Sequence, residues 1–188
     1  SADIEALEKT KEHKITEIDD YIDIERSISK NAKDARDKSI AQKKLLDEEN
    51  QKYSNAISNA NQIIINNDLI AENQQNADYV RQLEAENLNL ILAIKEIDSE
   101  IDSSDSLGLG LFIVTMSDEI EQNKQEIAVC ESTITSLNND IANTDLKINE
   151  AKLRKTEIIA FYDEQIADLN DIATASDKNV YSWIIDDI

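Results

Sequence analysis

Residues 113–158 read IVTMSDEIEQNKQEIAVCESTITSLNNDIANTDLKINEAKLRKTEI, and isoleucine returns in this stretch at Ile113, Ile120, Ile127, Ile134, Ile141 and Ile148. Residues seven apart fall on the same stripe of an α-helix, so a repeat of this kind is the mark of a helix that packs along its length against other helices. Met116, Asn123, Cys130, Leu137, Thr144, Ala151 and Ile158 fill the companion position, and the two rows alternate at steps of three and four. The pattern weakens at Lys155 and resumes through Tyr162, Leu169 and Ile172, which predicts a heptad helix over 112–175.

The residue types in this seam narrow its use. A dimer zipper pairs β-branched residues at one position with leucine at the other, whereas here the second row mixes Asn, Cys, Thr and Ala. Small and polar seam residues suit three or four helices, or two that approach closely in antiparallel fashion, with Asn123 and Thr144 fixing register at some cost in stability. Cys130 reads as a small buried apolar residue of that seam.

Upstream, Val80, Leu83, Asn87, Leu90, Ile94, Ile97 and Ile101 form a second seam in a different register, which extends back through Asn76 and Asn73 to Leu69. Between the two seams, residues 103–111 hold both glycines of the chain, Gly108 and Gly110, beside Ser103, Ser104 and Asp105, and are expected to reverse the chain. Residues 1–102 form a long helical segment, with a bend near 66–68, at Asn66-Asn67-Asp68, as the alternative to an unbroken helix. The first third is less regular: Ile4, Leu7, Ile15, Ile18, Ile22 and Ile28 drift off a strict heptad, and Ala32, Ala35, Ile40, Leu45, Leu46, Tyr53, Ile57 and Ala60 carry the pattern onward. Residues 176–188 change character, and Val180, Tyr181, Trp183, Ile184 and Ile185 make an apolar and aromatic tail suited to folding back or to docking on a neighbour.

Composition agrees with this all-α reading. The chain of 188 residues has no proline and two glycines, far too few to punctuate many turns. The architecture expected is an extended antiparallel coiled-coil hairpin or an elongated three- to four-helix bundle.

Nineteen Lys and Arg against 40 Asp and Glu leave a formal charge of −21, which disfavours nucleic-acid phosphate and anionic lipid. The longest weakly polar run, residues 107–116, is about half the length that a spanning helix needs, so no membrane insertion is expected. No Asn-x-Ser/Thr acceptor occurs, and Ser1 stands where an initiator Met would, as in a mature or trimmed chain.

Catalysis has little to stand on. His13 is the only histidine and lies among Lys11, Glu12 and Lys14, Cys130 has no histidine near it in sequence, and no glycine loop is placed to cradle phosphate. No catalytic and no cofactor-binding residues are assigned, and one Cys with one His cannot build a tetrahedral metal site. Calcium is the cation left to consider. Asp98, Glu100, Asp102 and Asp105 converge on the expected reversal without the spacing of a helix-loop-helix calcium loop, so the expectation is weak, shared, multi-site binding.

Taken together, Ile/Leu/Ala heptads interspersed with Asn, Gln, Ser and Thr, low pI, no proline, no glycosylation acceptor and a start without Met resemble the trichocyst matrix proteins of ciliates and the related granule lattice proteins. The resemblance covers the character of nearly the whole chain. It implies a polypeptide cut from a precursor in the secretory pathway, packed with homologous coiled-coil chains in a secretory-granule lumen, and extruded to the extracellular space as the core rearranges with calcium. The residues alone leave two further classes open, a coiled-coil scaffold joining cytoplasmic or cytoskeletal partners and a secreted helical binding module, with an enzyme last.

Overall fold

The computed structural model describes the backbone of residues 1–186 and the side chains of residues 1–176. The chain is all-α: α1 spans Ala2–Glu72, α2 Ala77–Lys95 and α3 Ser106–Asp186. It divides into two compact units. One combines Ser1–Ala35 with the chain from Ser136 onward, and the other is Arg36–Thr135, so that α1 and α3 each serve in both.

In the first unit α1 and α3 pair in antiparallel fashion. Lys11 Nζ meets Asp163 Oδ1 at 2.6 Å, Lys155 Nζ meets Asp19 Oδ1 at 2.8 Å, and the Ser29 hydroxyl reaches Asp145 Oδ1 at 3.5 Å. Each step forward on α1 is matched by an equal step back on α3, the signature of a fixed antiparallel register. The apolar centre is thin: Ile22, Ile148 and Ala151 are buried together with Ile18 packed against them. Thr144, Ser29 and Glu25 share the buried stripe.

The second unit is a three-helix bundle. Ala56, Ala60 and Ile63 of α1, Ile91 and Ile94 of α2, and Leu109, Phe112 and Met116 of α3 form one buried cluster. Burying a large aliphatic or aromatic side chain contributes roughly 1.5–3 kcal/mol, so this cluster is the main apolar anchor among the described residues. The alanines on α1 let its neighbours approach closely. Asn66 of α1 contacts Asn87 of α2, and Asn59 of α1 bonds the Leu90 carbonyl, so α2 returns alongside the end of α1. Asn67 then contacts Ser106, whereas Asn50 contacts Ile120, so α3 also runs opposite to α1. Both α2 and α3 therefore descend along α1, and residues 96–105 carry the chain back up between them.

The turns differ from the sequence expectation in three respects. Residues 66–68 do not bend: α1 continues through them, and the segment 1–102 is interrupted instead at residues 73–76 and again at 96–105. There the Asn76 side chain caps α2 by accepting from the Tyr79 amide at 3.2 Å. Accordingly the second seam is not one helix, since Asn73 and Asn76 form the turn, while Ile97 and Ile101 lie beyond the end of α2 yet still pack on the core.

The chain does reverse at the start of the expected segment, where residues 103–105 lead into α3, but its glycines do not form the turn. Gly108 and Gly110 lie in the opening turns of α3, and neither has positive φ. Asp105 takes the capping role, its carboxylate accepting from the Gly108 amide at 2.9 Å. A Cβ on Gly108 would come within 2.5 Å of Asp105 Oδ2, whereas one on Gly110 would meet nothing within 4 Å. The first glycine makes room for the cap, and this explains why a helix can start where glycines had signalled a turn. Finally, α3 is longer than the expected 112–175: it starts at Ser106, and its backbone continues to Asp186 through most of the segment set apart as a tail.

Candidate functional site: helix seams and surface faces

The first seam lies along one side of α3. Met116, Asn123, Ile141, Thr144, Ile148 and Ala151 are buried, and Ile113, Ile120, Ile127, Cys130, Ile134, Leu137 and Ile158 are half-buried. Of the second seam, Leu83, Asn87 and Ile94 are buried, with Val80, Leu90, Ile97 and Ile101 half-buried. Ile91, which sequence reasoning left out, is 3% exposed and belongs to the central cluster.

The buried face of α1 was the part least visible in the sequence. It runs through Ile15, Ile18, Ile22, Glu25, Ser29, Ala32, Arg36, Ser39, Lys43, Leu46, Asn50 and Tyr53, again in steps of three and four. Ile28, Ala35, Ile40 and Leu45, expected to carry the pattern, are exposed instead. Polar side chains hold several seam positions, so a search for apolar residues drifts onto the neighbouring face. The constant spacing from Ile15 onward, followed through polar residues, is the signal that finds it.

These polar seam residues are paired rather than stranded. Asn66, 1% exposed, donates to Asn87 Oδ1 at 2.9 Å and accepts from Gln62 at 2.9 Å. Asn87 in turn donates to Asn67 Oδ1 at 3.1 Å, and the Asn67 amide donates to the Ser103 carbonyl and the Ser106 hydroxyl, both at 2.9 Å. One amide layer thus ties α1, α2, residues 96–105 and the start of α3. Lower in the bundle, Asn123 donates to Asn50 Oδ1 at 2.9 Å and to Glu49 Oε1 at 3.1 Å. Among the described residues no buried side-chain nitrogen or oxygen lacks a partner. Since an unpaired buried amide costs about 1–3 kcal/mol, this pairing resists a slip in register.

Beside Asn50, the Tyr53 hydroxyl is pushed above its ordinary value by burial first, then by its hydrogen bond to Glu49 and the negative charges of Glu49 and Glu119. Lys43 Nζ and Glu131 Oε1 are paired at 3.2 Å, a further α1–α3 link within this unit.

Three of the four carboxylates considered for calcium serve the backbone. Asp98 accepts from the Glu100 amide at 3.2 Å, Asp102 from the Ser104 amide and hydroxyl, each at 2.9 Å, and Asp105 caps α3. The Ser104 amide, then its hydroxyl, hold the Asp102 carboxyl below its ordinary value, with Lys95 adding to the effect. The structure does not gather Asp98, Glu100, Asp102 and Asp105 into a ligand set: among the described residues no group of three or more His, Cys, Asp and Glu is placed to hold a metal ion. His13 is exposed and paired with Glu17 one helical turn on, at 2.9 Å. Cys130 is a free, half-buried thiol.

The side chains of Val180, Tyr181, Trp183, Ile184 and Ile185 lie outside the described residues. Elsewhere the surface carries apolar groups in helical series. On α3, Leu146 and Leu153 are 58% and 61% exposed and stand seven residues apart, opposite the seam; Leu107, Leu111 and Val114 form a second exposed row at its start. No helix among the described residues is long and apolar enough to cross a membrane.

What this arrangement presents is seams whose buried polar groups are paired and outer faces that carry exposed apolar rows. Comparison of the chain with protein-family models, with curated proteins and with solved structures gave no match.

Proposed function

We propose that the protein is a structural, lattice-forming component of a secretory-granule core of the trichocyst type, assembling side by side with further copies or with homologous coiled-coil chains. It works by packing and catalyses no reaction. The observation that carries this reading is the pair of apolar rows on α3, Leu146 with Leu153 and Leu107 with Leu111 and Val114, on the outside of helices whose inner faces are already filled. Apolar groups repeated at helical spacing on an outer face gain most when a second helix covers them.

The charge of −21 makes close packing conditional on counter-ions or protons. Calcium acts in this scheme through weak, shared binding to many surface carboxylates, and the change of ions on release moves the core between two packings. The chain then resides in the granule lumen and is extruded at exocytosis.

Electron microscopy of the purified chain, titrated with calcium at acidic and neutral pH, tests the proposal. Ordered filaments or sheets that rearrange with calcium are expected. Dispersed particles under every condition would sink it, and a stable monomer or dimer that binds one distinct protein would favour a scaffold joining cytoplasmic or cytoskeletal partners.

A further inference from the structure

Within the first unit, α1 and α3 border a groove of about 540 Å³ whose charge is opposite to that of the chain. Arg26, Lys30 and Lys33 line it from α1 and Lys152 from α3, against the single carboxylate of Asp145, and Ile148 lies in its floor. Arg26 stands 4.0 Å from Asp23, and Lys30, Lys33 and Lys152 have no ion-pair partner among the described residues. Four cations gathered in one groove of a chain with only 19 in all call for an anionic occupant.

The same chain carries a fitting counterpart. Glu164, Asp168 and Asp171 are exposed on α3, with no ion-pair partner among the described residues. Their spacing, i, i+4, i+7, is that of Arg26, Lys30 and Lys33. Two helices laid side by side in parallel bring such triplets into one-to-one register, because both rows follow the same turn of the helix. Phe161 and Ile172, 53% and 62% exposed, flank the acidic row and would be covered with it.

We infer that the basic groove of Arg26, Lys30, Lys33 and Lys152 receives the acidic row of Glu164, Asp168 and Asp171 from a second copy of this chain. This rests on the assembly reading above and gives it a specific contact. A mobile polyanion such as polyphosphate would use the cations but neither their helical spacing nor the apolar flanks of the acidic row. Long-range repulsion between two copies of charge −21 is screened beyond about 8 Å at physiological salt, and contact is decided locally. The two surfaces differ, so a pair of copies leaves one groove and one acidic row free. Such a head-to-tail contact propagates into rings or open filaments.

Reciprocal charge reversal tests this by sedimentation velocity at about 150 mM salt, the physiological range. Lys30→Glu with Lys33→Glu makes the groove acidic, and Asp168→Lys with Asp171→Lys, the positions that face them, makes the row basic. All four positions are exposed, so circular dichroism should show an unchanged helix content in both variants. Each variant alone is expected to self-associate at least about tenfold more weakly than the wild type, since two attractive pairs become repulsive. Mixing the two variants restores matched charges at both surfaces and should restore association.

A wild type that associates while the groove variant alone associates equally well, or a mixture that does not recover, overturns this contact but leaves the assembly reading standing. A wild type that stays monomeric here overturns this contact, and one that also stays dispersed across the calcium and pH titration removes both readings. Polyphosphate bound by that monomeric wild type, and lost in the groove variant, would reassign the groove to an anionic ligand.

Discussion

The two units are built from the same two long helices, yet they are held in different ways. Around residues 56–63, 91–94 and 109–116 three helices enclose a cluster that includes Ile63, Ile94 and Leu109 at 0% exposure. Where only α1 and α3 meet, at Ile22, Ile148 and Ala151, every member of the cluster keeps 5–8% of its surface exposed. Two helices cannot surround a side chain, and a third can. The two-helix unit therefore relies more on ion pairs such as Lys11–Asp163 and Asp19–Lys155, which are partly exposed and contribute only about 0–1 kcal/mol each. Its cation groove and acidic row lie in the unit with the weaker internal packing, where a helix from a neighbour has most to add.

Truncations at the two cores probe this difference most strongly. Ile63→Ala should cost about 3–5 kcal/mol in urea unfolding, because the site is enclosed and cannot collapse fully. Ile22→Ala should cost less, about 2 kcal/mol, since water and neighbouring side chains reach the open edge of a two-helix seam. Equal losses would mean that the two seams pack alike.

The amide layer offers a sharper contrast within the three-helix unit. Asn87→Ala removes one partner from each of Asn66 and Asn67 and should cost about 2 kcal/mol by the same measurement. Replacing Asn66 and Asn87 together by leucine should recover at least half of that loss, because the two facing amides then vanish together. A double variant as unstable as the single would show that the layer contributes through shape rather than through its hydrogen bonds.

The glycines give the smallest effect, with opposite expectations two residues apart. Gly110→Ala places a methyl group in open space and should stabilise the chain by about 1 kcal/mol, raising its melting temperature. Gly108→Ala should bring no such gain, because the new Cβ displaces the Asp105 cap, which contributes about as much as the improved helix propensity. Gains of equal size would mean that the cap carries no weight.

Much of the architecture could be read from particular residues. The isoleucine repeat from Ile113 to Ile148 determined α3 and its buried side, because seven-residue spacing on a helix admits one seam. The face of α1 could not be read in the same way: Glu25, Ser29, Ser39 and Lys43 occupy its seam while Ile28, Ile40 and Leu45 point outward. There hydrophobicity and position disagree, and only packing decides between them. The groove was not visible either, since Lys152 is distant in sequence from Arg26, Lys30 and Lys33 and joins them only through the antiparallel register.

By itself, then, the sequence determined that this is a chain of long helices, acidic overall and lined with heptad seams, because the absence of proline, the scarcity of glycine and the apolar period are local properties. Tertiary structure decided where those helices stop and how they run. Asn66 and Asn67, equally at home in a bend, remain helical because Asn87, Ser103 and Ser106 take up their amides. Gly108, a turn former by preference, opens a helix because Asp105 folds over it. A residue's preference is set by its own backbone and side chain, whereas its final state is set by the partners that the rest of the chain brings to it.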